Sequence, residues 1–104
     1  MFIVFLKFGS HRAQAGQWMA DHNQWIQKGF DDGVFLMTGS LGNAQGGVVL
    51  AANVDEAGLQ RRIEQDPFVV HGVVSAEVHA VTPSRMAQGL AALQRGADAA
   101  AASA

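Results

Sequence analysis

The sequence predicts an α+β domain in which four antiparallel strands and two helices follow one another as β-α-β-β-α-β, with an extra helix at the C-terminal end. Three features predict it. Residues 2–8 are a nearly unbroken apolar run. Residues 14–30 repeat apolar side chains at helical spacing. Two further strand-like runs flank a Gly-rich turn and are followed by a shorter helix and a fourth strand. The 104 residues fit one domain.

Phe2-Ile3-Val4-Phe5-Leu6-Lys7-Phe8 is rich in β-branched and aromatic residues. A strand with one wet face should alternate, and this one does not. It is therefore expected at the centre of the sheet, with helices over one face and a partner sheet over the other. In the first helix, Ala15, Trp18, His22, Trp25, Ile26 and Gly29 share one arc. Gln17, Asp21, Gln24, Gln27 and Lys28 lie opposite, and Met19 and Phe30 widen the apolar stripe. Asp32-Gly33 ends the helix in a turn.

Residues 34–41 read as the second strand, 42–46 as a turn and 47–52 as the third strand, giving a hairpin. Asn53 or Asp55 can cap a second helix over about 56–65, with Leu59 and Ile63 pointing inward. Asp66-Pro67-Phe68 breaks it, because proline disfavours helical geometry in the residue before it. Residues 72–82 form the fourth strand. Val74, Ala76, Val78 and Ala80 occupy one face, and Ser75, Glu77 and His79 the other. Ser84 can cap a final helix over 84–95 with Met86, Leu90 and Leu93 at helical spacing. Residues 96–104 are an Ala-rich tail expected to fray.

This order is the ferredoxin-like motif over residues 1–83. Its sheet carries helices on one face only, so the other face needs cover. A twofold homodimer with facing sheets supplies it. An apolar content of 49% against 15% charged residues agrees with such a buried face. Ser75, Glu77 and His79 suggest that part of that face is a wet cleft.

Composition narrows the function. The net charge is −2, and no Lys/Arg cluster marks a nucleic-acid binder. Without cysteine there is no disulfide, thiolate metal site or Cys nucleophile. The apolar start is short, lacks a basic flank and a cleavage site, and is not read as a signal peptide. No run approaches the ~20 apolar residues that span a bilayer. The expectation is a cytoplasmic protein with no membrane or nucleic-acid partner.

His22 is the most informative residue. It sits in the apolar arc one turn from Trp18 and from Trp25, and a buried imidazole needs polar partners. It reads either as a general acid or base in an apolar pocket or as a core histidine bonded to a backbone carbonyl. Asp66 reads either as an inward carboxylate orienting a histidine or as the cap of a helical turn begun by Pro67. At Thr38-Gly39-Ser40, Gly39 either lets a ligand approach the backbone or relieves a bend. Ser40 lies in no Gly-x-Ser-x-Gly elbow and is not read as a nucleophile. His11, His22, His71 and His79 form no helical His-x-x-x-His pair, so no metal is expected. Residues 42–47 match no phosphate or dinucleotide loop.

Three patterns carry a family resemblance. They are His22 followed by Trp25, the glycine-led strand Gly33-Val34-Phe35-Leu36-Met37-Thr38-Gly39-Ser40, and Asp66-Pro67-Phe68 with Gly72-Val73 after it. Over residues 1–83 the chain resembles the YCII-related (YciI-like) proteins. The resemblance implies a dimeric α/β-barrel arrangement and an active site built on His22 and Asp66. One relative of that family is a dehydrochlorinase acting on a hydroxylated chloroaromatic. Two positions depart from the pattern: Met19 stands where members often carry a basic residue, and Ser40 replaces the proline of the small-Gly-Pro ending.

Together these readings predict a cofactor-independent enzyme that abstracts a proton from, or eliminates a group from, a small molecule, with aromatic molecules among its candidate substrates. His22 would move the proton and Asp66 orient it, with Trp18, Trp25, Gly39, Ser40 and Phe68 at the substrate. The alternative is a non-catalytic ligand-binding or accessory dimer with a structural His22–Asp66 pair. Haem binding or cofactor-free oxygenation, found in similar barrels, is supported only by analogy of fold.

Overall fold

The structure is a computed structural model that describes residues 1–90. Strand β1 (Phe2–Phe8) leads through a 3₁₀ turn to helix α1 (Ala15–Asp31). Strands β2 (Phe35–Ser40) and β3 (Gly46–Ala51) form the hairpin, and α2 (Glu56–Ile63) follows. A four-residue helix, α3 (Pro67–Val70), precedes strand β4 (Val74–Ala80). The sheet order is β2-β3-β1-β4, with every neighbour antiparallel. This is the ferredoxin-like arrangement, and β1 is central as its unbroken apolar run requires.

The register divides the two faces. Val4 pairs with Val49 and Val78, and Leu6 with Gly47 and Ala76, all on the face that α1 and α2 cover. The core lies there, built from Val4, Leu6, Trp25, Phe35, Val49, Leu59, Ile63, Phe68 and Val73. The opposite face carries Ile3, Phe5, Val48 and Leu50, all only half-buried, and Met37, which is 38% exposed. Lys7, Glu77 and His79 share that face, with Lys7 Nζ 3.0 Å from Glu77 and Phe5 edge-on to His79.

Local chemistry explains the element ends. Asp55, not Asn53, caps α2 by accepting the Gly58 N–H at 2.6 Å. Asn53 instead donates from its side chain to the Gly33 carbonyl at 2.9 Å. Glycine is obligatory at Gly46, where φ is +135° and a Cβ would overlap the Leu6 carbonyl oxygen. Gly29 is required for a different reason: the Phe35 ring packs directly on its backbone.

After α2, Asp66 starts a new helical turn with Pro67 at its first position, as the capping reading of Asp66 expects. One expected element differs. The final helix does not begin at Ser84, since residues 81–87 are irregular and Gln88–Leu90 form one 3₁₀ turn. Leu90 is exposed and Met86 half-buried. The rest of that expected helix and the tail, residues 91–104, lie outside the described residues. No helix among the described residues is long and apolar enough to cross a membrane.

Candidate active site

The α2–α3 junction creates the site. Its sharp turn drops the Asp66 side chain beneath α1, where the residue is fully buried. His22, on the inner face of α1, meets it: His22 Nδ1 lies 2.7 Å from Asp66 Oδ1. A carboxylate can only accept, so Nδ1 carries the hydrogen and donates it. Asp66 Oδ1 also accepts the Phe68 N–H at 3.0 Å, capping α3. Asp66 Oδ2 is buried and has no protein partner. The two sequence readings of Asp66 are thus both true of one carboxylate.

The Phe68 ring stacks on the imidazole, with centroids 3.9 Å apart, and the Trp25 ring lies 5.8 Å away, centroid to centroid. With Nδ1 committed to Asp66, Nε2 is the ring nitrogen left without a partner among the described residues. His22 borders a cavity of about 310 Å³ between α1 and the sheet. That is near the lower end of the ~300–1,000 Å³ usual for small-molecule sites.

Of the expected site residues, the structure brings His22, Phe68, Gly39 and Ser40 to this cavity, with Asp66 directly behind His22. Trp18 and Trp25 do not border it. Trp25 is buried against Phe35 and donates its indole N–H to the Arg62 carbonyl at 2.9 Å. Trp18 stacks on His71 at 3.6 Å. The helical arc identified both as inward, but Trp18 is taken up by His71 and Trp25 by Phe35 and the Arg62 carbonyl. The apolar wall comes instead from Leu6, Phe8, Met19, Ile26 and Val74.

Met19, Asn23, Thr38 and Gly47 also border the cavity and were not singled out as site residues by sequence. The signal for two of them was present. Met19, His22, Asn23 and Ile26 follow i, i+3, i+4, i+7 spacing, a stripe beside the buried one. Among the described residues, no three His, Asp or Glu side chains gather closely enough to hold a metal.

Electrostatics distinguish the site from the surface. At the far end of α1, Arg62 and Lys28 pair with Asp32 and hold its carboxyl below the ordinary range. Lys7 and then His79 do the same for Glu77 on the open sheet face. None of these groups borders the cavity around His22.

No family model and no curated protein matches the chain. Among solved structures, it is similar to 5-chloro-2-hydroxyhydroquinone dehydrochlorinase (TftG) from Burkholderia phenoliruptrix AC1100, solved in complex with 2,5-dihydroxybenzoquinone. The TM-score is 0.64 at 12% identity, and the alignment covers 79% of this chain and 94% of that one. At that identity the likeness shows a shared fold.

Proposed function

We propose that the chain is a YCII-related, cofactor-independent enzyme that uses His22 and Asp66 for acid–base chemistry on a small ring compound. The observation that carries this reading is the buried 2.7 Å contact between His22 Nδ1 and Asp66 Oδ1 at the edge of a cavity. Such a contact fixes the tautomer with Nε2 unprotonated. Nε2 then accepts a proton from a substrate O–H or C–H. The electron pair left behind forms a new π bond, and a leaving group departs with its bonding electrons. The imidazolium so formed is stabilised by the Asp66 carboxylate and later returns its proton to water. The apolar walls strengthen that attraction by excluding water. The fold shared with a dehydrochlorinase that acts on a chlorinated hydroquinone supports elimination as the step and an aromatic molecule as the substrate.

The same reading includes a homodimer in the cytoplasm. Ile3, Phe5, Val48, Leu50 and Met37 leave an apolar sheet face with no cover from the helices of the described residues. A second copy is the cover that a ferredoxin-like sheet of this kind favours.

One observation favours a second reading. Asp66 also caps α3, so the pair contributes to the fold whether or not it turns anything over. In that case the chain is a non-catalytic binding module. The experiment is a metabolite screen for turnover, followed by His22→Asn and Asp66→Asn on the hit. Catalysis predicts that both variants lose turnover by about 10²-fold or more while still binding ligand. Normal turnover by both removes the dyad from the mechanism.

A further inference from the structure

The cavity beside His22 has a one-sided chemistry. Its polar side chains are all uncharged apart from the titratable His22 itself: Asn23 on α1, and Thr38 and Ser40 on β2. Among the described residues, no Lys, Arg, Asp or Glu borders it. Arg12 comes near, with its guanidinium carbon 4.3 Å from the Phe8 ring centroid, but does not itself line the cavity. Met19 occupies the α1 position one turn before Asn23.

We infer that this cavity selects an uncharged, hydroxyl-bearing ring over its carboxylated counterpart, with Thr38 and Ser40 as specificity-determining residues. The inference rests on the cavity being the substrate site. Its physical basis is the asymmetry of desolvation. A phenolic hydroxyl entering an apolar cavity exchanges water for a side-chain hydroxyl or amide at little net cost. A carboxylate entering the same cavity loses part of its hydration and, among the described residues, finds no cation to replace it. The register sets the hydroxyls in place: Thr38 pairs with Val49 and Ser40 with Gly47, on the face that α1 covers. They therefore reach the cavity from the sheet while His22 and Phe68 border it from the helices. Gly47 has no side chain and leaves the space between Ser40 and Leu6 open.

The test uses two probes that differ by one carboxylate, hydroquinone and 2,5-dihydroxybenzoate, titrated into the full ¹⁵N-labelled chain at neutral pH. Hydroquinone is expected to shift the amide signals of Gly39, Ser40 and Gly47. The acid is expected to bind about tenfold more weakly at those residues, as a partly dehydrated carboxylate without a cation beside it requires. Thr38→Val with Ser40→Ala should weaken hydroquinone by about tenfold, the worth of two modest hydrogen bonds. Met19→Arg should raise affinity for the acid. A wild-type-like amide spectrum away from the cavity shows that each variant is folded, and the wild-type comparison needs no variant. Equal or tighter binding of the acid would overturn the selectivity and leave the cavity as the substrate site. Unchanged hydroquinone binding in the double variant would remove Thr38 and Ser40 from the role. If neither probe moves those amides at millimolar concentration, this inference and the cavity reading both fall.

Discussion

Phe68 lies flat against the imidazole of His22, with ring centroids 3.9 Å apart and planes 5° from parallel. Its backbone N–H meanwhile donates to the carboxylate that holds that imidazole. One residue thus braces both members of the pair. Phe68→Leu keeps the backbone bond but removes the flat surface. It is expected to cost about 1–3 kcal/mol in a urea titration. It should also lower turnover of a screened substrate more than it lowers binding, because the ring of His22 gains freedom. A variant as active as wild type would show that the stack does not position the imidazole.

Asp66→Asn and Asp66→Ala separate the two duties of this residue. Asparagine retains an oxygen for the Phe68 N–H, so the cap survives, but it carries no charge to stabilise an imidazolium. Alanine leaves both the Phe68 N–H and the His22 Nδ1–H without a partner in a fully buried place. The alanine variant is expected to lose about 3–5 kcal/mol of stability and the asparagine variant clearly less. Turnover should fall by a similar large factor in both. Equal stability losses would mean that the carboxylate charge, not the cap, holds the junction together.

The strands and the two long helices were legible because each is a periodic pattern with one buried face. The apolar β1 placed itself at the sheet centre for the opposite reason: its unbroken run has no wet face. Four-residue α3 carries no period, so only its Asp-Pro start was visible, and that start alone did not show that Asp66 would swing beneath α1. The tryptophans show a different limit. Spacing on α1 says which way Trp18 and Trp25 point, but not whether a cavity or another ring receives them. Trp25 is spent on Phe35 and the Arg62 carbonyl, and Trp18 on His71. The final helix was read from the spacing of Met86, Leu90 and Leu93, of which Leu90 is exposed and Leu93 lies outside the described residues.

Close packing of Gly29 on Phe35 gives a test of the α1–β2 contact. A Cβ at Gly29 would fall within 2.0–2.5 Å of three atoms of the Phe35 ring, which is itself buried. The ring also contacts Trp25 and so cannot turn aside freely. Gly29→Ala is therefore expected to destabilise by about 1–3 kcal/mol, although alanine is the better helix former. A thermal melt at or above the wild-type midpoint would mean that Phe35 repacks.

Acid sensitivity should come partly from Asp32. Its hydrogen bonds to Arg62 and then Lys28 lower its pKa below the ordinary carboxylate value of 3.8. A group with a depressed folded-state pKa stabilises fully above its unfolded value and loses that contribution as pH falls through the folded one. The loss is thus expected below about pH 4 and absent at neutral pH. Asp32→Asn should flatten that part of the acid limb of a stability profile, with a small effect because the carboxyl is solvated. An unchanged acid limb would assign it to other carboxylates, Glu77 beside Lys7 first among them.

The open sheet face yields the prediction about assembly. Leu50 lies on β3 next to Ile3 of β1 and Met37 of β2, on the side away from α1 and α2. A glutamate there points away from the core, so the monomer fold should persist. In a dimer with facing sheets it would place a charge from each copy in an apolar interface, at a cost of several kcal/mol. Light scattering is expected to give about twice the 11.0 kDa chain mass for the wild type and one chain mass for Leu50→Glu, with unchanged far-ultraviolet circular dichroism. A wild-type chain that is monomeric at micromolar concentration would leave the face without a second copy. A dimeric Leu50→Glu would move the interface to another surface.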